Sequence, residues 1–110
     1  MKKQVKVVVV DDNEAVIRSV KDYFKDSEII SVIGGFTNGK DALNYLLQYP
    51  DQYDLLMLDL ILTQFDGIRI IAALKNHNIN KKIMVLWSVK DDFTLIIVKD
   101  LGAFYCYIKT

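Results

Sequence analysis

The chain has few of the residues that mark disulfide-rich, membrane or nucleic-acid-binding proteins. Its 110 residues include one cysteine, one proline, one histidine and five glycines, and fourteen basic residues balance fourteen acidic ones. A zero net charge offers no basic surface for neutralising phosphates, so we expect no direct nucleic-acid binding. No apolar run approaches the ~20 residues that span a bilayer, and no secretion signal opens the sequence. These absences predict a cytoplasmic protein that does not insert into a membrane.

The single cysteine, Cys106, has no second cysteine with which to form a disulfide. A catalytic thiol would need a basic partner, and the only histidine, His77, lies in a polar, loop-like stretch. The ordinary role of such a cysteine is that of a small buried apolar residue. The sequence therefore does not favour a cysteine–histidine mechanism.

Short apolar blocks alternate with segments of helical periodicity along the chain. The blocks are Val5–Val10, Ile29–Gly34, Leu55–Leu58, Ile83–Trp87 and Phe104–Ile108. Near-continuous apolar blocks are typical of parallel strands that are covered on both faces. The alternation predicts an α/β fold with a doubly wound parallel sheet and helices on both faces. The length predicts a single domain over residues 1–110.

Four intervening segments have helical spacing and helix-ending signals. They run from Asp12–Asn13 to about Lys25, from after Gly39 to Tyr49–Pro50, from after Gly67, and from about Asp91 to Leu101. The predicted buried stripes of the first three are Val16, Ile17, Val20, Tyr23 and Phe24; Ala42, Leu43, Leu46 and Leu47; and Ile70, Ile71 and Leu74. The fourth is more apolar than one stripe requires, which favours either a wide core face or an exposed patch for a partner. No fifth helix follows the last strand, so we expect a domain truncated before it, with part of one sheet face bare.

Charged residues follow three of the predicted strands at their carboxyl ends. Asp11 and Asp12 follow the first block, Asp59 follows the third, and Lys109 follows the fifth. Ligands of open α/β sheets bind at this edge, near the point where the strand order reverses. Clustered carboxylates repel one another, and Mg²⁺ relieves that repulsion because it prefers oxygen ligands. Together with an ammonium group, they predict a site for phosphoryl transfer.

Three of these four residues also have an ordinary explanation when each is taken alone. Asp12 would serve as a helix cap, Asp59 as a loop residue, and Lys109 as a solvated end. The chain has no glycine-rich nucleotide cradle of the GxxxxGK[ST] or GxGxxG type. We therefore expect the phosphoryl donor to be a small molecule or another protein, not a bound ATP.

The motifs around these residues resemble the receiver domains of bacterial response regulators. The likeness covers the whole chain and is carried by Val8–Asn13, Leu56–Leu60, Phe65–Gly67, Asp100–Ala103 and Ile108–Lys109. The resemblance implies a five-stranded flavodoxin-like sheet of order 2-1-3-4-5. It also implies a phosphorylation-dependent switch of a two-component system or phosphorelay. Within the family, the likeness is strongest to the receivers of sporulation regulators.

The resemblance implies a role for each residue of the acidic group. Asp59 would accept the phosphoryl group and would also contact the metal. Asp12 would ligate Mg²⁺ directly, and Asp11 would act mainly through water. The backbone carbonyl of Ile61 would be another metal ligand. The apolar side chain at that position offers no help to an attacking water, so we expect a long-lived phosphate.

The residues that would relay phosphorylation depart from the family pattern. Thr63 stands where a proline is usual, Trp87 where a Ser or Thr binds the phosphoryl group, and Cys106 where the switch aromatic lies. Ser88 would supply the hydroxyl if the strand end shifts by one residue, and Lys109 would bind the phosphoryl oxygens. Two interpretations stay open: a phosphorylated switch with altered relay residues, and a pseudo-receiver that acts by protein–protein binding alone.

The resemblance implies three partners: a histidine kinase or phosphotransferase, an effector outside this chain that would bind DNA, and a second copy bound through the fourth helix and last strand. No enzymatic turnover is expected, because phosphatases with an aspartate nucleophile carry a second Asp two residues later, where this chain has Ile61. A flavodoxin-like cofactor binder would need a Ser/Thr/Gly-rich phosphate loop at the position of Asp11 and Asp12. We therefore expect no bound flavin.

Overall fold

A parallel β-sheet forms the centre of the molecule. The computed structural model describes residues 4–59, 67–87 and 105–108. The strands are β1 (Val5–Val10), β2 (Ile30–Phe36), β3 (Leu55–Asp59), β4 (Lys82–Trp87) and β5 (Tyr105–Ile108), in the order β2-β1-β3-β4-β5. All four pairings between neighbouring strands are parallel. The predicted flavodoxin-like α/β class with a parallel sheet is confirmed.

Helices connect the first four strands. These are α1 (Glu14–Phe24), α2 (Gly39–Gln48) and α3 (Gly67–Asn76), with a short 3₁₀ helix at Pro50–Gln52 after α2. Two asparagines cap the first two helices at their N-termini. The side chain of Asn13 accepts a hydrogen bond from the Ala15 amide, and that of Asn38 accepts hydrogen bonds from the Lys40 and Asp41 amides. The segment predicted as the fourth helix lies outside the described residues. Within the described ranges, no helix combines the length and apolar composition needed to cross a membrane.

The helices lie on both faces of the sheet and form two cores. The larger core joins alternate residues of β1, β3 and β4 to the buried stripes of α2 and α3, and its fully buried members include Val8, Val10, Leu46, Leu56, Leu58, Ile70 and Ile71. The smaller core joins the other face of β1 to α1 and consists of Val7, Val9 and Ile17. Helices on two faces of a parallel sheet are the doubly wound arrangement that the alternating sequence predicts.

The helix α1 packs very closely on strand β2 at one point. A Cβ atom added to Gly35 would collide with the Cγ2 atom of Ile17. Glycine is therefore required at position 35 for the observed approach of helix to sheet. The neighbouring Gly34 has no such restriction, because its added Cβ would make only an ordinary contact of 3.6 Å with Phe36. The contact between Gly35 and Ile17 fixes α1 relative to the carboxyl end of the sheet, where the candidate site lies.

Two sequence-based predictions about packing are wrong in detail. Tyr23, predicted in the buried stripe of α1, is 82% exposed and instead stacks edge-on against the ring of Phe24. It lies in the last turn of α1, where the described part of the sheet offers it no cover. Strand β2, predicted to end at Gly34, continues through Phe36. A register shift between Val7 and Val8 places an extra β2 residue there, and pairing then resumes through both glycines.

Tyr53 anchors the end of α2 to the start of β3. Its side chain is fully buried, and its hydroxyl donates a hydrogen bond of 3.0 Å to the backbone carbonyl of Leu46. Burial, with a smaller contribution from Tyr45, raises the pKa of Tyr53 to about 12. The ammonium of Lys81 lies 5.3 Å from the centre of its ring. The residue therefore serves the fold on the side of the sheet away from α1.

Candidate functional site

The parallel register of β1 and β3 brings two carboxylates to the same level of the sheet. Val9 pairs with Met57, and Val10 pairs with Leu58. The next residue on each strand is an aspartate, Asp11 after β1 and Asp59 at the end of β3. Because both strands run in the same direction, the two side chains lie at the carboxyl edge of the sheet. The sequence-based prediction placed them at this edge for the same reason.

Three carboxylates meet at this edge. One carboxylate oxygen of each of Asp11, Asp12 and Asp59 lies within 4.8 Å of the others. Asp11 is 0% exposed and Asp59 is 5% exposed, whereas Asp12 is exposed to solvent. Asp11 and Asp59 are the only buried charged residues among those whose side chains are described. The site is thus a half-open acidic pocket with two buried walls and one solvent-facing wall.

The turn between β1 and α1 is held at both of its ends. The amide of Asp11 donates to the carbonyl of Phe36 at 3.1 Å, which ties the end of β1 to the end of β2. The amide of Asn13 donates to Oδ1 of Asp11 at 2.9 Å. The side chain of Asn13 accepts from the Ala15 amide at 3.0 Å and caps α1. The helix cap is therefore Asn13, which leaves the side chain of Asp12 to the pocket.

The chemistry of the pocket fits a hard divalent cation. The donors that the described residues offer are carboxylate oxygens, which Mg²⁺ prefers, and one wall is open to the waters that Mg²⁺ retains. Three like charges this close, two of them buried, favour a cation that compensates them. Asp11, Asp12 and Asp59 are therefore the residues of this chain that would hold Mg²⁺.

Other residues predicted for the site fall largely beyond what the structure describes. Ile61, Thr63, Ser88 and Lys109 lie outside the described residues. Trp87 is described only as the last residue of β4, where its backbone pairs with Ile108. Cys106 belongs to β5, where its backbone pairs with Val85. The structure brings together the three aspartates and leaves the roles of the other residues as predictions.

One contributor to the site was not predicted. Asn13 was expected only as a candidate helix cap, whereas its amide also binds the Asp11 carboxylate. The signal was present in the sequence, because an aspartate side chain in a turn commonly accepts a hydrogen bond from the backbone two residues later. That pattern predicts a hydrogen bond within the turn, but it does not show which of two adjacent aspartates accepts it.

The doubly wound parallel sheet and the acidic pocket at its carboxyl edge agree with a signalling receiver module. The chain belongs to the response regulator receiver domain family, whose sequence pattern matches residues 7–110. The resemblance stated from the sequence is confirmed at the level of the family. Receiver domains are signalling modules of two-component systems, and the observed fold agrees with that role.

Known proteins are similar to this chain in sequence and in fold. The response regulator protein VraR of Staphylococcus epidermidis is 29% identical over 106 residues, which cover 96% of this chain and 50% of VraR. One chain of the CheX–CheY–BeF3–Mg²⁺ complex of Borrelia burgdorferi matches with a TM-score of 0.86 at 19% identity, over 96% of this chain and 78% of that chain. The RcsB response regulator of Salmonella typhimurium matches with a TM-score of 0.84 at 25% identity, over 96% of this chain and 54% of RcsB. The chain spans about half the length of the curated relatives it matches.

The finer likeness to the receivers of sporulation regulators is not supported by these comparisons. The relatives found by sequence include VraR proteins of two Staphylococcus species. The motifs that suggested the finer likeness, such as Asp11–Asn13 and Asp66–Gly67, are short stretches of sequence. Short motifs that serve the same chemistry are shared across a family, so they identify the family better than one of its members.

Proposed function

We propose that this chain is a phosphorylation-dependent signalling switch that accepts a phosphoryl group on Asp59. The observation that carries the proposal is the placement of that carboxylate. It ends a central strand, is 5% exposed, and has oxygens of Asp11 and Asp12 within 4.8 Å. A buried carboxylate beside two others lowers the stability of the fold. Such destabilising arrangements are typical of functional sites.

The proposed reaction transfers a phosphoryl group to a carboxylate oxygen. An oxygen of Asp59 attacks phosphorus, the bond from phosphorus to the donor's leaving atom breaks, and an acyl phosphate forms on the aspartate. Asp11 and Asp12 would hold Mg²⁺, which would supply positive charge to offset that of the carboxylates and the phosphoryl oxygens. The Asn13 amide keeps the Asp11 carboxylate in place during the reaction.

Residues carried over from the family complete the proposed site. The carbonyl of Ile61 would be a further metal ligand, and Lys109 and Ser88 would bind the phosphoryl oxygens. The apolar side chain at position 61 gives no hydrogen bond to an attacking water, which supports a slowly hydrolysed phosphate. Thr63, Trp87 and Cys106 depart from the family pattern and are the proposed relay positions.

The proposed setting is a cytoplasmic two-component system or phosphorelay. The donor would be a histidine kinase or phosphotransferase, and the chain would signal without enzymatic turnover. A homodimer through the predicted fourth helix and β5 is also proposed. VraR is about twice as long as this chain, and the RcsB structures concern conformational dynamism for DNA interaction. Both observations support a DNA-binding output outside these residues.

The proposal is tested by incubating the protein with MgCl2 and acetyl phosphate and measuring its intact mass. The expected result is one phosphate adduct that requires Mg²⁺ and is lost in the Asp59→Asn variant. An Asp54→Asn variant is the matched control, because Asp54 lies just before the same strand and its carboxylate bonds the Lys6 amide instead. A folded protein without an adduct would favour the pseudo-receiver, for which the altered Thr63, Trp87 and Cys106 already give a reason.

A further inference from the structure

The acidic pocket and helix α1 are joined through one residue, Asn13. Its amide donates to Oδ1 of Asp11, and its side-chain oxygen accepts from the Ala15 amide in the first turn of α1. Its carbonyl also accepts from the Val16 amide at 3.0 Å. Asn13 therefore bonds both the buried wall of the pocket and the start of the helix.

Asp12 lies between the two anchored positions of this turn. On one side, the Asp11 amide is tied to the Phe36 carbonyl at the end of β2. On the other side, Asn13 is tied to α1, which the Gly35–Ile17 contact fixes against the same strand. With the backbone on both sides held in this path, an oxygen of the exposed Asp12 carboxylate lies within 4.8 Å of oxygens of Asp11 and Asp59. The direction of that carboxylate thus depends on the cap that Asn13 provides.

We infer that Asn13 is a positioning residue that couples metal binding in the acidic pocket to the order of the first turn of α1. The inference rests on the proposed metal site, and it adds that the order of α1 regulates metal binding there. Without the cap, the turn would occupy several conformations, and only a fraction would present Asp12 to the metal. An affinity measured for such a mixture falls in proportion to the competent fraction. By reciprocity, a bound metal would order the first turn of α1.

A titration with MgCl2, followed by amide NMR signals of residues 11–17, tests this coupling. We expect Asn13→Ala to raise the Kd for Mg²⁺ roughly fivefold, within the range that loss of a helix cap allows. Asn13→Ser should restore the affinity, because serine caps helices as asparagine does. Asn38→Ala is the matched control: it removes the same kind of cap from α2 and should destabilise the fold without changing the Kd.

A second readout separates positioning from simple stability. In the wild type, saturating MgCl2 should slow hydrogen exchange of the Ala15 and Val16 amides, and this effect should be lost in Asn13→Ala. If that variant does not fold, Asn13→Gly, which removes the side-chain cap at smaller cost, replaces it. If the wild type binds Mg²⁺ and the Asn13 variant binds it with an unchanged Kd, the inference is overturned while the proposed metal site stands. Failure of the wild type to bind Mg²⁺ at this turn would overturn the proposed metal site and the inference with it.

Discussion

Gly35 of β2 lies directly beneath Ile17 of α1, so closely that a Cβ atom on the glycine would collide with the Cγ2 atom of the isoleucine. The contact places the start of α1 over the carboxyl end of the sheet. Since α1 follows directly after Asp11 and Asp12, the position of the helix also determines where these two carboxylates lie. A packing contact on one face of the sheet thus contributes to the geometry of the acidic pocket.

The first prediction concerns this contact. Gly35→Ala should lower the free energy of unfolding by about 1–3 kcal/mol, the usual cost of forcing extra volume into a packed contact. Gly34→Ala is the control, since its methyl group would meet Phe36 at an ordinary distance. It should be neutral or stabilising by about 0.5 kcal/mol, because alanine restricts the unfolded chain. Urea denaturation of both variants provides the comparison, and equal losses of stability would contradict the close-contact account.

The second prediction concerns the buried hydroxyl of Tyr53. Tyr53→Phe should lower the free energy of unfolding by about 1–2 kcal/mol near pH 7, because the buried Leu46 carbonyl loses its hydrogen bond. Tyr45→Phe is the control, because Tyr45 is a half-buried tyrosine of α2. Thermal or chemical denaturation measures both, and a stability of Tyr53→Phe equal to that of the wild type would show that the bond contributes nothing.

The second prediction has a counterpart at alkaline pH, because the stability of the fold should depend on the ionisation of Tyr53. Burial raises the pKa of Tyr53 to about 12, above its ordinary value of 10.0. Between these two values the unfolded chain loses a proton that the folded chain retains, so the raised pKa favours unfolding as the pH rises. The wild type should therefore lose stability by roughly 1 kcal/mol per pH unit from this residue. Tyr53→Phe should lack that part of the slope, and identical slopes above pH 10 would be inconsistent with the raised pKa.

A large part of the fold was predictable from the sequence because it depends on local patterns. The apolar blocks predicted β1 to the residue and the other strands to within two residues, and Asn13 and Asn38 lie at helix starts as capping preferences predict. The end of β2 was not predictable, because glycines usually interrupt strands. Here the two glycines extend the strand, since a register shift and the packing of Ile17 favour them.

The candidate site was predictable in its composition and less so in its internal bonding. The parallel register of β1 and β3 follows from the alternation of strands and helices, and it brings Asp11 and Asp59 together. The exposure of Tyr23 and the Asn13–Asp11 hydrogen bond depend on where α1 sits in three dimensions. Sequence periodicity describes one face of a helix but does not show how far the sheet extends beneath its last turn.

The third prediction concerns metal and stability. Mg²⁺ at a hundredfold excess over its Kd should raise the free energy of unfolding by about 2.7 kcal/mol, since it binds the folded pocket and not the unfolded chain. Chelation by EDTA should reverse the effect. Asp12→Asn should weaken the stabilisation, whereas Asp51→Asn, an exposed aspartate of the 3₁₀ helix, should retain it. Equal stabilisation of both variants by Mg²⁺ would indicate binding elsewhere.

The fourth prediction concerns the cost of clustering carboxylates. Without Mg²⁺, Asp59→Asn should raise the free energy of unfolding by about 1 kcal/mol, because it removes one of two buried charges from a group of three. The same variant should gain less from Mg²⁺ than the wild type. Denaturation in EDTA and in MgCl2 measures both effects. A variant less stable than the wild type in EDTA would mean that the carboxylate stabilises the fold on balance.

The most direct test of the central claim is to locate the phosphate on the chain. After phosphorylation with acetyl phosphate and MgCl2, borohydride reduces an acyl phosphate to an alcohol, and peptide mass spectrometry then identifies the reduced residue. The account predicts reduction at Asp59 alone, dependent on Mg²⁺, with Asp11 and Asp12 unchanged. Reduction at either of the other two aspartates, or a phosphate stable to borohydride on a hydroxyl side chain, would contradict it.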